Sequence, residues 1–377
     1  MRISVREWVY PEYSRSRVQR AGKILRASDE PFNEIEAMEV LNNWKAAHER
    51  PMATILKTVK KYSNEISNKS TIVQRRKRTE SILLKLNQQP KLDLARMQDL
   101  VGFRIVFRDD DSKKNLAHID ELIKKISSGR MLSRVSRLTN YIEKPRDSGY
   151  RSVHAIFKYN SISYPKHNNM QVELQIRTKI QHSWATAVET VGMFERSHLK
   201  QGLGDENWKE FFRIMSLLMS IEEGTHESNT EEKNDLKERL RNISITINAR
   251  ENLQMIMLQN RVLEVSYKKI MRKMRGETGY MLVRLDRGAV ETEVTETNDG
   301  KVKAKRSQPI EITGFPKNAE LEATDAYSRM EKEAHDNKDV FVLLAKAQDV
   351  KSLKNGFPNY FADIRDFIQL HKNYCET

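Results

Sequence analysis

The sequence predicts an α+β protein, with a central unit in which strands and helices alternate and with helical segments on both sides of it. Three observations support this expectation. Strand-like and helix-like stretches alternate between residues 72 and 195. Apolar residues recur at three-residue spacing along 33–47, which is typical of a helix. No Pro or Gly occurs between Thr225 and Arg275, which favours one long amphipathic helix.

The elements of the first two thirds can be placed from their apolar periodicity. A helix covers 33–66 and is interrupted at Pro51, and a second helical stretch runs from Ile72 to Leu86. The remaining predicted elements are a strand at 100–107, a helix with its apolar face at 116–126, strands at 152–160 and 171–178, and helices at 179–194 and 205–222.

A small α/β module is expected beyond the long helix. It contains predicted strands at 279–285, 288–297 and 340–344 and predicted helices at 319–335 and 360–371. The chain therefore divides into four expected parts: a helical N-terminal segment (1–71), a central domain (72–222), a connecting helix (223–275) and a C-terminal module of possible regulatory role (276–377).

The composition is that of a soluble protein large enough for two domains. The chain has 377 residues, of which 38% are hydrophobic and 31% charged. Every apolar run is far shorter than the roughly 20 residues that a bilayer span requires, so no membrane span is expected. The N-terminus lacks the apolar core of a secretory signal. The single cysteine, Cys375, excludes an intrachain disulfide, and we expect a cytoplasmic protein.

The net charge of +14 is unevenly distributed. Residues 286–377 hold 14 Lys and Arg against 17 Asp and Glu, whereas the first 285 residues hold 52 against 35, an excess of +17. Such an excess favours a polyanionic ligand, either nucleotide phosphates or RNA. A basic surface that serves only solubility is the alternative.

The strand at 171–178 carries the most informative polar pattern. Alternation along it places Val172, Leu174 and Ile176 on one face and Glu173, Gln175 and Arg177 on the other. An acid, an amide and a guanidinium that project together suit the wall of a polar cleft. A ladder of polar side chains on an exposed sheet surface is the alternative.

Two carboxylates and a row of basic residues suggest a phosphate site. Asp99 precedes the strand at 100–107, and together with Glu173 it could hold Mg²⁺ against phosphate oxygens. On the helix predicted for 72–86, the i, i+4, i+8 spacing would place Lys77, Ser81 and Lys85 on one face as phosphate donors. A solvated basic face is the usual explanation for such a row, and a row of phosphate donors becomes preferable only if the carboxylates lie opposite.

A loop at 140–154 completes the candidate site. Pro145 and Gly149 mark a loop that delivers Tyr150 and Arg151 to the start of a strand. An aromatic ring displayed on such a loop can stack on a base, which is worth about 1–3 kcal/mol. The alternative is a tyrosine folded back onto the core.

These elements, in this order, resemble the synthetase domain of the RelA/SpoT family, the enzymes that make (p)ppGpp. The resemblance covers roughly 72–195, about a third of the chain. It rests on four motifs: Arg75-x-Lys77-x3-Ser81-x3-Lys85, Asp99-x2-Gly102-x-Arg104, Tyr141-Ile-x2-Pro145-Arg-x-Ser-Gly-Tyr-x-Ser152-x-His154 and Glu173-Leu-Gln-Ile-Arg-Thr178.

The resemblance implies a mixed sheet flanked by helices, as in nucleotidyltransferases, and transfer of the β,γ-pyrophosphate of ATP to the 3′-hydroxyl of GDP or GTP. It also implies a role for each matching residue. Asp99 and Glu173 would bind Mg²⁺, and Glu173 would activate the hydroxyl. The ATP side would consist of Arg75, Lys77, Ser81, Lys85 and Arg104. The acceptor side would consist of Tyr150, Arg146, His154, Gln175 and Arg177, with Tyr150 stacked on the base.

Two positions depart from the family pattern. Asn140 stands where the family often has Asp, and Arg146 stands where it usually has Lys. Arg keeps the charge but offers a planar fork of donors, so contacts with the acceptor phosphates are expected to differ. The pattern of the family's hydrolase domain is missing around His335-Asp336, so we expect a synthetase without hydrolase activity.

Two other functions stay open at this level. Some stand-alone relatives are toxins that pyrophosphorylate the 3′ end of tRNA, and the basic first 285 residues could serve an RNA backbone. In that case the C-terminal module would restrain the enzyme until a trigger, such as a phage protein, arrives. A non-catalytic nucleotide-binding regulator is the third hypothesis.

Overall fold

The computed structural model describes residues 8–27, 31–77, 79–128, 131–194, 204–254, 256, 278–286, 291–296, 302–307, 310–316, 318–335, 340–346 and 364–376. The contacts between residues divide the chain into two compact units. The first unit comprises 1–182 and 219–227, and the second comprises 183–218 and 228–377. The helical segment expected at the N-terminus therefore shares one unit with the central sheet.

The first unit begins with three helices. They are α1 (Arg15–Ala27), α2 (Pro31–Ala47) and α3 (Glu49–Ile66). The interruption expected at Pro51 lies at His48, between α2 and α3, and Pro51 itself is in the first turn of α3. Proline is tolerated there because the first helical N–H groups have no partner within the helix.

The main sheet of this unit consists, in the described residues, of five strands in the order β1–β2–β5–β4–β3. The strands are β1 (Ser70–Arg76), β2 (Val101–Phe107), β3 (Arg134–Asn140), β4 (Val153–Lys158) and β5 (Gln171–Thr178). Strands β2 and β5 pair in parallel, and the other neighbours pair antiparallel. The mixed sheet expected from the family resemblance is therefore present.

One face of the main sheet is covered by two helices. Alternate residues of the central strands, such as Phe103, Ala155 and Leu174, pack in one apolar cluster with α3 and with α5 (Ser112–Ser127). The other face therefore carries the polar residues of β2, β4 and β5. A second apolar cluster joins α1 and α2 to α4 (Thr79–Gln88).

The helix predicted for 72–86 is wrong over its first part. Residues 70–76 form β1, which pairs with β2 along its length, and only residues from Thr79 are helical. The segment Thr71-Ile-Val-Gln-Arg begins with β-branched residues, but its apolar pair also fitted a helical stripe. Pairing with β2 decides in favour of the strand, because a tertiary contact outweighs a weak local preference. Strand β3 was not predicted.

The long helix expected at 223–275 is also wrong in part. Helices α6 (Lys179–Phe194) and α7 (Glu206–Glu223) agree with the predictions, and α8 (Thr230–Thr246) follows. The chain then turns at Ile247 and Asn248, whose φ is +47°, before helical residues resume at Ala249. Asn enters the left-handed region more readily than most residues, so the break needs no Gly or Pro. Residues 257–275 lie outside the described part.

The described C-terminal residues contain strands β6 (Thr278–Asp286), β7 (Glu291–Glu296), β8 (Val302–Ser307), β9 (Ile310–Pro316) and β10 (Val340–Lys346) and helices α9 (Glu320–His335) and α10 (Arg365–Glu376). Strands β10, β6 and β9 form one sheet, and β7 pairs with β8. Strands β8 and β9 were not predicted. None of the described helices has the length and apolar character that a bilayer crossing requires.

Candidate active site

The polar face of the main sheet carries a row of three side chains across three strands. Arg104 on β2 is in register with Gln175 on β5, and Gln175 is in register with His154 on β4. The Nη2 atom of Arg104 lies 3.5 Å from Oε1 of Gln175. The alternation predicted for 171–178 is thus confirmed, because Val172, Leu174 and Ile176 all belong to the apolar cluster on the opposite face.

Glycine is required next to this row. Gly102 pairs with Glu173 across the parallel strands β2 and β5. A Cβ atom added to Gly102 would lie 2.4 Å from the backbone oxygen of Glu173, well inside van der Waals contact. The missing side chain therefore lets β2 and β5 approach at the point where Glu173 is presented.

Asp99 is held by two lysines just before β2. Its Oδ2 atom lies 2.8 Å from Nζ of Lys77, and its Oδ1 atom lies 2.9 Å from Nζ of Lys85. Burial favours the neutral acid, but the two ammonium groups outweigh this effect and lower the pKa of Asp99 to about 2. Asp99 is therefore ionised at neutral pH, and each of its oxygens faces a cation.

The two lysines reach Asp99 from different elements. Lys77 directly follows β1, whereas Lys85 lies on α4. The prediction that Lys77, Ser81 and Lys85 share one helix face is therefore wrong for Lys77. Ser81 lies on α4, one turn before Lys85, and is partly buried. Arg75 belongs to β1 and pairs with Gly102, and its side chain lies outside the described part.

Glu173 is the second carboxylate of the site. Its Oε1 atom accepts a hydrogen bond from Nδ1 of His154 at 2.9 Å, and its Oε2 atom accepts one from Nε2 of Gln175 at 2.9 Å. Burial raises the pKa of Glu173, but the hydrogen bond and the charge of His154 outweigh it, so the pKa is lowered. Burial lowers the pKa of His154, but the hydrogen bond to Glu173 outweighs the effect of burial, so the pKa of His154 is raised. The pair therefore stabilises the carboxylate form of Glu173.

Asp99 and Glu173 line the same small cleft. The other residues that line it are Lys77, Gly102, Phe103, Arg104 and Gln175. The negative charge of Asp99 raises the pKa of Glu173, as expected for two carboxylates that face one space. The structure thus brings together two acids that are far apart in the chain.

The donor set of this cleft suits a cation only in combination with a ligand. In the described residues, no group of three or more His, Cys, Asp or Glu side chains is arranged to hold a metal. Two carboxylates nevertheless fit Mg²⁺, which in phosphate-handling sites takes one or two carboxylates and completes its shell with water and substrate phosphates. Asp99 and Glu173 are the residues that would hold it.

The loop before β4 holds Tyr150 in the second of the two arrangements that the sequence left open. The tyrosine is folded back onto the core and is 5% exposed, instead of being displayed. The Tyr150 hydroxyl lies 2.7 Å from Nε2 of His154 and accepts a hydrogen bond from Nη2 of Arg177 at 2.8 Å. Arg177 also donates to Oε1 of Gln175 at 3.2 Å. A buried tyrosine hydroxyl needs hydrogen-bond partners in place of water, and Arg177 and His154 supply them.

Arg146 and Tyr141 lie at the outer side of this loop. Arg146 is exposed, and its Nη2 atom donates to the hydroxyl of Tyr141 at 2.9 Å. Its guanidinium lies 4.6 Å from the centre of the Tyr141 ring and 5.5 Å from that of Tyr150. The predicted acceptor-side residues Tyr150, His154, Gln175 and Arg177 are thus joined by hydrogen bonds, and Arg146 adjoins them through ring contacts.

Sequence reasoning missed one buried acid in this unit. Glu223, the last residue of α7, contacts Arg151, Thr178 and Gln181. The signal in the sequence is a Glu at the end of an apolar helix, directly before Gly224. A negative charge is unfavourable at that end of a helix, so such a residue calls for a compensating partner.

Comparison with known proteins agrees with the motifs. Residues 74–194 match the family model of the region found in RelA / SpoT proteins. Over 137 residues the chain is 31% identical to the GTP pyrophosphokinase YjbM of Bacillus subtilis, an alignment that covers 35% of this chain and 60% of that relative. The chain therefore spans less than two thirds of the length of the curated relative that it matches.

Solved structures are also similar to part of the chain. One is the crystal structure of small alarmone synthetase 1 from Bacillus subtilis bound to its product pppGpp, with 23% identity, a TM-score of 0.38 and coverage of 48% of this chain and 89% of that one. Another is a GTP pyrophosphokinase family protein from Streptococcus pneumoniae, with 22% identity, a TM-score of 0.38 and coverage of 50% and 90%. The match of residues 74–194 to the family model confirms the resemblance drawn from the four motifs.

Proposed function

We propose that this chain is an ATP-dependent pyrophosphokinase that transfers the β,γ-pyrophosphate of ATP to the ribose 3′-hydroxyl of GDP or GTP and releases AMP. The observation that carries the proposal is the convergence of Asp99 and Glu173 on one cleft with Lys77 and Arg104. Transfer of a phosphoryl-type group needs mainly charge neutralisation and alignment, and these side chains offer both. The family match over 74–194 supports the same chemistry.

The ATP side of the site is formed by the cations around Asp99. Lys77 and Lys85 both present their ammonium groups to this carboxylate, so they are close enough together to receive one polyphosphate. Ser81 on α4 and Arg75 on β1 would add donors, and Arg104 would face the adenine. The lysines would exchange Asp99 for phosphate oxygens when ATP binds.

Asp99 and Glu173, which line one cleft, would hold Mg²⁺. When bound, the ion would neutralise charge on the phosphates that react. The lysine contacts of Asp99 then have a second consequence. Before phosphates bind the two lysines, the lysine ammonium groups compensate the charge of Asp99. We therefore expect the cation and the nucleotide to bind together rather than independently.

Glu173 is the proposed general base. Its lowered pKa keeps it a carboxylate at neutral pH, as a base requires. The 3′-oxygen would attack the β-phosphorus of ATP, the bond from that phosphorus to the α,β-bridging oxygen would break, and AMP would leave with the bridging oxygen. The hydroxyl proton would pass to Glu173, whose contact with His154 stabilises the ionised form.

The acceptor side is formed by the hydrogen-bonded group of Tyr150, His154, Gln175 and Arg177. Because the Tyr150 ring is buried in the structure, stacking on a guanine would require the loop at 140–152 to open. Arg146 is an exposed cation of this loop and would meet the acceptor phosphates. Its planar fork suits phosphate oxygens in pairs.

A tRNA 3′ end is a second candidate acceptor. Lys57, Lys60 and Lys61 are all exposed on α3, and they belong to the basic part of the chain. A row of exposed lysines suits the phosphates of an RNA backbone, which would make binding weaken steeply with salt. The chemistry at Asp99 and Glu173 would be unchanged.

Product analysis tests both acceptors. The chain is incubated with γ-labelled ATP and Mg²⁺ together with GDP, GTP, an adenine nucleotide or deacylated tRNA. Label on a guanosine 3′-pyrophosphate, with AMP in equal amount, would support the proposal. Label on tRNA alone would identify tRNA, rather than GDP or GTP, as the acceptor. If no acceptor is labelled and AMP does not form, the enzymatic function is wrong and a nucleotide-binding regulator becomes the better account.

A further inference from the structure

Helix α7 ends in a buried carboxylate that the reaction does not use. Glu223 is 1% exposed, and it lies at the C-terminal end of the helix, where the peptide dipoles disfavour a negative charge. Gly224 follows with φ +73° and donates its N–H to the carbonyl of Ile221 at 3.0 Å, which ends the helix directly after the acid. A buried charge in an unfavourable field is retained only if strong partners compensate it.

The partners of Glu223 come from the loop before β4, from the end of β5 and from the first turn of α6. Its Oε2 atom accepts a hydrogen bond from Nη1 of Arg151 at 2.6 Å, and the Arg151 side chain is 3% exposed. Its Oε1 atom accepts a hydrogen bond from the hydroxyl of Thr178. Nε2 of Gln181 lies 3.3 Å from both oxygens. One carboxylate at the end of α7 therefore contacts Arg151, two residues before β4, Thr178, the last residue of β5, and Gln181 on α6.

The contacts with Arg151 and Thr178 adjoin the acceptor side of the candidate site. Arg151 follows Tyr150, and Thr178 follows Arg177, while the Tyr150 hydroxyl and Arg177 are joined at 2.8 Å. Consecutive residues of a strand point to opposite faces, so Thr178 points away from the face that carries Glu173, Gln175 and Arg177. Glu223 thus holds the backbone beneath Tyr150 and Arg177 from the other side of the sheet.

We propose that Glu223 is a positioning residue for the acceptor, a role that rests on the proposed pyrophosphokinase function. By fixing Arg151 and Thr178, it sets the separation of the chain segments that carry Tyr150 and Arg177. On the ATP side, Asp99 contacts Lys77, which follows β1, and Lys85, which lies on α4. Neither of these contacts involves Glu223. Loss of Glu223 should therefore weaken the acceptor side selectively.

The test compares apparent KM values for the two substrates. Glu223→Gln keeps the shape of the side chain but leaves Arg151 with a neutral partner. We expect its apparent KM for the acceptor to rise by about tenfold, since small displacements of positioning groups have effects of this size, while its KM for ATP stays within about twofold. Thr178→Val, which removes one hydrogen bond to Glu223, should shift the same constant in the same direction by less.

A stability-matched variant separates positioning from general loss of structure. Val59→Ala opens space in the apolar cluster under the sheet, where Val59 is fully buried, and should lower the melting temperature without a selective change in either KM. A parallel rise of both constants in Glu223→Gln, or the same selective rise in Val59→Ala, would overturn the positioning role and leave the proposed function intact. If wild-type protein transfers pyrophosphate to no acceptor, both proposals fail. Should Glu223→Gln not fold, an unchanged acceptor KM in Thr178→Val would refute the role.

Discussion

The Nζ atom of Lys85 lies 2.9 Å from Oδ1 of Asp99, and so the carboxylate that would bind Mg²⁺ already has a cation on one oxygen. Lys77 contacts its other oxygen at 2.8 Å. A metal ion must compete with these ammonium groups unless phosphates draw them away. Whether the two lysines contact Asp99 or phosphate oxygens would therefore determine when a divalent ion can bind.

Metal binding should depend on the nucleotide. We expect Mn²⁺, followed by electron paramagnetic resonance, to bind the protein much more tightly when the non-hydrolysable analogue AMPCPP is present. Lys85→Met should bind Mn²⁺ more tightly than wild type when no nucleotide is present, because one oxygen of Asp99 is released.

A matched variant controls for the loss of a charge elsewhere. Lys69→Met removes an ammonium that pairs with Asp110 outside the cleft and should leave Mn²⁺ binding as in wild type. A titration of AMPCPP without protein accounts for chelation by the analogue itself. Equally tight Mn²⁺ binding to wild type with and without the analogue would contradict this account.

Removal of the proposed base should abolish turnover and spare the fold. Glu173→Gln keeps the volume of the side chain but cannot accept the hydroxyl proton, so kcat should fall by at least about 100-fold. Circular dichroism and the melting temperature should stay close to wild type. Glu121→Gln, at an exposed position of α5, serves as the control and should keep full activity. A Glu173→Gln protein that retains its turnover would remove Glu173 from the base role.

Substitution of the glycine between the strands should disturb both stability and activity. A methyl group at Gly102 would lie 2.4 Å from the carbonyl oxygen of Glu173, so β2 and β5 must separate. We expect Gly102→Ala to lose about 1–3 kcal/mol of unfolding free energy, measured by urea denaturation, and most of its activity.

Gly22→Ala is the matched control for this clash. Its added methyl group would lie 2.6 Å from Cβ of Leu94, in the apolar cluster of the N-terminal helices. It should lower stability by a similar amount with a much smaller loss of kcat. If both alanine variants lose activity in proportion to their stability, the close approach at Gly102 has no special bearing on Glu173.

The ion pairs of Asp99 should make stability depend on pH in the acid range. The pKa of Asp99 is about 2 in the folded protein, against its ordinary value of 3.8 in the unfolded chain. Because the folded pKa is the lower one, the stabilisation is fully present above the unfolded value and is lost as the pH falls towards 2. The difference corresponds to about 2 kcal/mol, of which roughly half should be lost by pH 3.

Comparison with a neutral variant isolates this contribution from other acids. The unfolding free energy of wild type should exceed that of Asp99→Asn near pH 6, and the difference should shrink steadily as the pH is lowered to 3. A difference that stays constant over this range would mean that the lysines do not stabilise the ionised form of Asp99.

Local sequence was sufficient where one face of a strand or helix is buried. The strand at 171–178 and the helix at 179–194 agree with their predictions. Both were predicted from the spacing of apolar residues close together in the chain, which has a period of two in a strand and of about 3.6 in a helix. The same reasoning failed at 72–76, where Ile72 and Val73 fit either pattern and pairing with β2 decides the structure. It also failed at Asn248, where the helix is interrupted although the sequence has no Gly or Pro there that would predict a break.

The sequence by itself therefore determined the candidate site residues: the order of the four motifs, the polar face of Glu173, Gln175 and Arg177, and the presence of two acids and several cations. Only the tertiary structure decided how they meet. It placed Lys77 after a strand rather than on a helix, turned Tyr150 inward, and brought Glu223 to the end of β5 and to the loop before β4. The physical reason is that periodicity reflects interactions between residues near in the chain, whereas ion pairs and buried hydrogen bonds form between segments whose proximity depends on the whole sheet.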